Sequence, residues 1–358
     1  MNSQNPTFQC CIKVAMMLIA LVMIGNAPAQ AQSTIIWSQQ ETASPSINTA
    51  ISFSPDGQLV STGRTESNSV NLRSATDGTL IRVLTGKNNN ARALAFSPDS
   101  QLLVTGAGGP GVGIGLNLWR VSDGARLVGR IPSHNNGTNG VAFSPDGQMV
   151  ATSGFHDRDI KLWHVPDMTL VRTINNFDPQ LGYALFVTAV AFSPDGQLLA
   201  SGDSNGVKLR HVFDGTLVRK MGGSQTDVVT LAFAPDGSKI AAGITGLDPT
   251  YGTCVDCSVK LWRVSDGTLL RTFFSRAGEL FYPKIGISAD GLSIAAGFGI
   301  HDETGAIQFW SIRTGASVFI DHQPSPVHAF AYSPDGRRYG YILANGRAAV
   351  AQAPAGRL

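Results

Sequence analysis

Charge is scarce in this chain. Only 15% of its 358 residues are Asp, Glu, Lys or Arg, the formal net charge is +2, and no Lys/Arg run occurs. Nucleic-acid binding normally leaves a basic patch or stripe, so no nucleic-acid partner is expected. Cysteine is scarcer still, with four residues, two of them at Cys10 and Cys11. The remaining pair, Cys254 and Cys257, has no histidine close by and is too small a set for a closed zinc site. Beyond residue 31 no stretch keeps a helical apolar period over a useful length, which argues against a helical bundle or coiled coil.

The single long apolar run, residues 14–24, counts 11 residues. That is short of the about 17 to 25 needed to span a bilayer. It follows Lys13, the only charged residue among the first 31, and precedes small residues spaced for cleavage after Ala29 or Ala31. Charge, short apolar core and small-residue site are the three parts of a secretory leader. Residues 1–31 are therefore expected to be a signal peptide, with no membrane span after its removal and a periplasmic or secreted location. In such an oxidising compartment Cys254 and Cys257 are expected to form a local disulfide that pins a loop.

What the chain has in abundance is glycine, 40 residues, and one recurring turn. Phe-Ser-Pro-Asp-Gly stands at 53–57, 143–147 and 192–196. Close variants start at Phe96, Phe233, Ile287 and Tyr332. Six intervals separate Phe53 from Tyr332, and their mean is about 46 residues, a period that signals a stacked-repeat architecture. Each of the first six copies reads as four short strands. In the third, Val141–Phe143 meets the turn, residues 148–153 form a second strand, Ile160–His164 a third and residues 169–174 a fourth. Proline presets the first turn angle and glycine accepts the left-handed one.

The seventh copy stops after three strands, Val327–Ser333, Arg338–Leu343 and Arg347–Gln352, while an unclaimed strand, Thr34–Ser38, stands ahead of the first copy. A ring closed by these two ends in one sheet explains both and leaves no open edge. The residue before each turn aromatic is Ser52, Ala95, Ala142, Ala191, Ala232, Gly286 or Ala331, and the one before that is large and apolar. Alternating small and large faces suit sheets crowded around an axis. The expected fold is all-β, a seven-bladed β-propeller of four-stranded antiparallel blades over residues 32–353, with a tail at 354–358.

The turns, together with third strands such as Ile160-Lys-Leu-Trp163 and Val259-Lys-Leu-Trp262, resemble those of the WD-repeat (WD40) β-propeller family over nearly all of residues 33–352. The resemblance implies a structural tie of His, Ser/Thr, Asp and Trp in each blade. Only the third copy offers all four, as His134, Ser153, Asp157 and Trp163, and the fourth has Arg210 in the tryptophan position. Weaker polar ties are therefore expected in most blades.

Two connections in each repeat hold constant length and two vary. In an up-and-down blade both variable ones lie on the same face. The second-to-third connection alone ranges from 11 to 22 residues. Insertions collected on one face often mark a binding surface. The candidate residues there are Tyr183, Phe186, Asp248, Tyr251, Phe281, Tyr282 and His301, which either meet a partner or fold back onto the rim. The positions that begin the inner strands are Thr49, Arg92, Asn139, Thr188, Val229, Pro283 and His328. They form no ring of histidine or carboxylate, so no metal, cofactor or catalytic residue is assigned. The reading is an exported, non-catalytic scaffold for a protein or peptide, with a glycan as a further partner class. The alternative is an exported propeller enzyme, lactonase-like or quinone-dependent, with its site in the channel mouth.

Overall fold

The recurring turn is a self-contained hydrogen-bond unit. In the first copy Ser54 Oγ donates to Asp56 Oδ1 at 2.5 Å and accepts from the Leu59 amide at 2.9 Å. Asp56 Oδ1 accepts from the Gln58 amide at 3.0 Å, and Gly57 takes φ +72°, where a side chain costs energy. The Ser–Asp pair recurs at Ser97/Asp99, Ser144/Asp146, Ser193/Asp195, Ser288/Asp290 and Ser333/Asp335. In the fifth copy Ala234 removes the first hydroxyl, and Ser238 Oγ donates to Asp236 instead.

The computed structural model describes residues 33–41, 49–64, 69–85, 91–107, 115–135, 137–154, 157–178, 183–223, 227–247, 254–274, 281–299 and 304–354. The expected signal peptide lies outside them. Among the described residues there is no helix. Seven four-stranded antiparallel sheets form the blades, with inner strands Thr49–Phe53, Ala91–Phe96, Thr138–Phe143, Ala189–Phe192, Asp227–Phe233, Phe281–Ile287 and Val327–Tyr332. Six blades follow chain order. In the seventh, Ile35–Gln40 pairs with Arg347–Gln352 as the outermost strand, which is the closure expected from the two chain ends. Each inner strand packs against the inner strands of both neighbours in one closed cycle.

Crowding near the axis explains the small residues. A Cβ on Gly286 would come within 3.0 Å of the Tyr332 side chain and 3.1 Å of Phe330 in the next blade. Farther out the wedges between blades fill with large side chains. One cluster joins Leu116 and Leu118 of blade 2 to Val150 and Trp163 of blade 3, all buried. Blade 7 carries the same volume with its sizes exchanged. Tyr339 pairs with Ala351 there, where blade 3 pairs Val150 with Trp163.

Arginines on the outer strands of blades 1, 3, 4 and 5 clamp each of these blades to the next. Arg82 donates to the Asp123 and Ser122 carbonyls at 2.9 and 2.8 Å, and Arg219 donates to those of Asp266 and Ser265, both at 2.8 Å. Arg172 holds Asp214 and Phe213 the same way, and Arg271 holds Ile312 and Arg313. At the ring closure Trp37 takes over, its indole donating to the Ala75 carbonyl at 3.3 Å, and Arg338 adds bonds to Ala75 and Gly57.

Candidate functional site: the inserted face and the channel mouth

The polar ties inside the blades differ in chemistry from blade to blade. In blade 3, His134 Nδ1 meets Asp157 Oδ2 at 2.9 Å and His134 Nε2 meets Thr152 Oγ1 at 2.8 Å. The Trp163 indole donates to the same hydroxyl at 2.9 Å. The hydroxyl of the tie is therefore Thr152 and not Ser153, whose Oγ is buried without a hydrogen bond. The register gives the reason. Val150 pairs with Trp163, so Thr152, two residues on, shares its face while Ser153 points to the other. Burial pushes the Asp157 carboxyl up, but the hydrogen bond and charge of His134 outweigh it and hold the pKa below the usual range.

Against the expectation of weaker ties in most blades, blades 1 and 4 stand out with charged ties of their own. Blade 1 substitutes Glu41, which meets Arg73 Nε at 2.8 Å and also binds Thr62 and Asn71. Blade 4 builds a buried network: Lys208 Nζ lies 2.8 Å from Asp203 Oδ2, and Arg210 donates to Ser201 Oγ at 2.8 Å and Asn176 Oδ1 at 2.9 Å. Asn176 Nδ2 closes it onto Asp203 at 2.8 Å. Asn176 and Arg210 stand where blade 3 has His134 and Trp163. Blade 2 keeps Trp119 on Thr105 at 3.1 Å.

The inserted face is more ordered than its sequence suggests. In blade 5 the second and third strands run Lys239–Leu247 and Cys254–Arg263, of 9 and 10 residues against 6 in most blades, so the insertion begins as a projecting hairpin. Cys257 opposes Thr245 in it and is disulfide-bonded, while the side chain of Cys254, its expected partner, lies outside the described residues. Asp248, Tyr251 and His301 also lie outside them, as do the side chains of Tyr183 and Phe281. Phe186 is half-buried under the Arg158 guanidinium, 4.8 Å from its ring, and belongs to the rim packing. Tyr282 is 55% exposed, with φ +51° and its amide donated to Thr245 Oγ1 at 3.1 Å. Sequence reasoning missed Phe177 and Phe274, which are 51% and 64% exposed on the same face. Each sits just past the end of an outer strand, the position that could have marked it.

At the channel mouth on this face the inner strands share a defect. In blade 2 Ala91 pairs with Ala107 and Ala93 with Gly106, which leaves Arg92 as an extra, unpaired residue. The same bulge falls at Asn139, Val229 and His328, and within residues 282–283 of blade 6. A bulge bends the strand and re-aims its extra side chain. The residues chosen from sequence as strand starts thus ring the mouth, and four of them, or five with Pro283, are bulge residues. Thr188 there is satisfied by the Gly202 carbonyl at 3.0 Å and by the Val228 carbonyl. No group of three or more His, Cys, Asp or Glu able to hold a metal occurs among the described residues.

The opposite face presents the constant turns. Two shallow clefts open there, of about 830 and 510 Å³, one lined by the turns of blades 4 and 5 and the other by those of blades 6 and 7. Phe213, on a turn of blade 4, is 90% exposed.

A sequence profile described as "WD domain, G-beta repeat" matches residues 78–109, 125–164, 175–209 and 215–263. The chain carries WD40 repeats. In sequence they are similar to part of eukaryotic translation initiation factor 3 subunit I from Scheffersomyces stipitis, 33% identical over 91 residues. That match covers 25% of this chain and 24% of that protein. WD repeat-containing protein SL1-17 from Schistosoma mansoni is 28% identical over 123 residues, 34% of this chain and 36% of that one. The chain thus spans only a quarter to about a third of the length of these relatives. Among solved structures, the β-propeller domain of Cps50 (Swd1) from Myceliophteria thermophila superposes with TM-score 0.73 at 16% identity. It covers 89% of this chain and 100% of that domain, a likeness of fold. The blades are seven in number and antiparallel throughout.

Proposed function

We propose that this WD40 propeller is an exported, non-catalytic scaffold that binds a protein or peptide on its inserted face. The observation that carries the reading is the exposure of Phe177 and Phe274, at 51% and 64%, on the connections entering blades 4 and 6, and of Tyr282, at 55%, at the start of the blade 6 inner strand. Exposed aromatics are the side chains most often found to anchor protein interfaces. Tyr282 is held outward in a left-handed conformation that a bulky side chain adopts at an energetic cost, and such outliers cluster at functional positions. Export is supported by the leader-like residues 1–31 and by the disulfide at Cys257, since disulfides persist in oxidising compartments.

The test is a crosslinking pull-down from the native exported fraction, comparing wild type with a Phe177→Ser, Phe274→Ser, Tyr282→Ser variant of unchanged thermal stability. Loss of one specific partner from the variant supports the reading. Equal capture by both forms contradicts it. Absence of the chain from the exported fraction contradicts the export.

A further inference from the structure

The left-handed backbone of Tyr282 is held from the neighbouring blade. Within its own sheet Tyr282 falls in the bulge between the pairs Phe281–Gly299 and Lys284–Gly297 and has no partner there. Blade 5 supplies the missing bonds from two threonine hydroxyls. Thr245 Oγ1 accepts the Tyr282 amide at 3.1 Å. Thr230 Oγ1 donates to the Pro283 carbonyl at 2.9 Å and accepts the Ile285 amide at 3.3 Å. A bulky residue at positive φ persists only where its surroundings over-determine it, and these two hydroxyls bracket the bulge.

The two threonines differ in what supports them. Thr230 stands in a complete row across the blade, Thr230–Gly243–Val259–Phe273, one residue from each strand. Thr245 lies farther out, in the row Asp227–Thr245–Cys257, which the outer strand does not reach. Past that row the sheet narrows to a two-stranded ribbon, with Gly246 opposite Asp256 and Leu247 opposite Cys254 across an irregular step. A two-stranded ribbon is marginally stable in water, and a disulfide is a means of constraining it. Cys257, the residue directly opposite Thr245, is disulfide-bonded. Thr245 itself is buried, so fraying of the ribbon back to this row takes from the Tyr282 amide the acceptor it uses.

We propose that the disulfide at Cys257 is a redox latch on Tyr282. Closed, it fixes the ribbon, keeps Thr245 against the tyrosine amide and holds the side chain outward. Open, it lets the ribbon fray to Thr245 and the tyrosine leave its left-handed conformation. Opening takes two electrons from a small dithiol. One of its thiolates attacks the S–S bond and expels a cysteine thiolate of the chain. The second then attacks the mixed disulfide, so the reagent departs as a cyclic disulfide and the chain keeps two thiols. The control of binding rests on the scaffold reading, whereas the coupling from Cys257 to the Tyr282 backbone is measurable without any partner.

The experiment is amide hydrogen exchange of the purified full chain, resolved by NMR, in the oxidised form and in dithiothreitol. Reduction is expected to speed exchange of the Tyr282 amide by about tenfold or more and to leave the Ile285 amide, held by Thr230, within about twofold. Thr245→Val removes the acceptor at nearly unchanged volume and should speed Tyr282 exchange without reduction, while Thr245→Ser should keep it slow. Unchanged exchange at Tyr282 on reduction overturns the latch. Equal acceleration at Tyr282 and Ile285 overturns it too, by making the disulfide a staple of the whole blade. The pull-down, run on oxidised and reduced wild type, reads the consequence separately. Capture lost on reduction supports the latch, and capture retained despite faster Tyr282 exchange overturns its control of binding. If the oxidised form captures no more than the triple aromatic variant, the scaffold reading fails, and the exchange rates still decide the coupling.

Discussion

Lys208 is buried and Lys284 partly buried, and they sit in opposite electrostatic settings. Lys208 lies 2.8 Å from Asp203 in a network that also ties down Asn176 and Arg210. Lys284, on the inner strand of blade 6, is partly buried and has no described partner. The difference separates two kinds of region. In blade 4 the replacement of His134 and Trp163 by Asn176 and Arg210 leaves a tie that is charged but closed. Along the inner strands lie the bulges, the left-handed Tyr282 and, in Lys284, a cation with no counter-ion among the described residues. Such local costs are tolerated where function uses them.

The comparison can be broken most forcefully in blade 4. Asp203→Ala strands Lys208 and Arg210 without their carboxylate, and removal of one partner from a buried ion pair costs about 3–5 kcal/mol. Denaturant unfolding should report a loss of that size. The opposite sign is expected on the inner strand of blade 6. Lys284 titrates at about 8 against an ordinary 10.5, so between those values the unfolded chain holds more protons and stability rises with pH. Below about 8 the penalty is present in full, on the order of 3 kcal/mol. Lys284→Met should therefore raise stability by up to that amount at pH 7 and by progressively less toward pH 10.5.

Smaller effects sharpen the same contrast. Ser144→Ala removes the hydroxyl that serves Asp146 and the Met149 amide, and should cost about 1–2 kcal/mol by thermal unfolding. The hydroxyl hydrogen bonds of Ser97, Ser144 and Ser193, followed by backbone amides, hold Asp99, Asp146 and Asp195 below the usual carboxylate range. Their contribution is complete above the unfolded-state pKa and is lost as pH falls through the lowered folded values. Acid unfolding of Ser144→Ala should accordingly be less steep than that of wild type. Tyr282→Asn, which suits the left-handed backbone better, should stabilise by under about 1 kcal/mol while weakening partner capture.

The ring, its blade count and its closure were legible in the sequence because period, turn chemistry and the missing strand are properties of the linear pattern. The hydroxyl of the blade 3 tie was not, since Thr152 and Ser153 are adjacent and only the register of Val150 against Trp163 tells which face each takes. The interblade clamps did leave a signal, in the recurrence of Leu-x-Arg at Arg82, Arg172, Arg219 and Arg271 after the hairpin turn. Its meaning depends on knowing that the next blade presents carbonyls there. Lys284 was hidden in an apolar strand and becomes conspicuous once the seven inner strands are aligned and every counterpart is small. Phe186 was expected on the binding surface, and Arg158 draws it into the rim through a contact between residues 28 apart in sequence.

The account makes the inserted face, with its channel mouth, the working surface of the propeller. Its most direct test places a photo-crosslinking amino acid at position 282 in one form and at 213, the exposed aromatic of the opposite face, in another. Irradiation of the native exported fraction should join a specific partner to the chain from position 282 and none from 213. Capture from 213 with none from 282 would contradict the account.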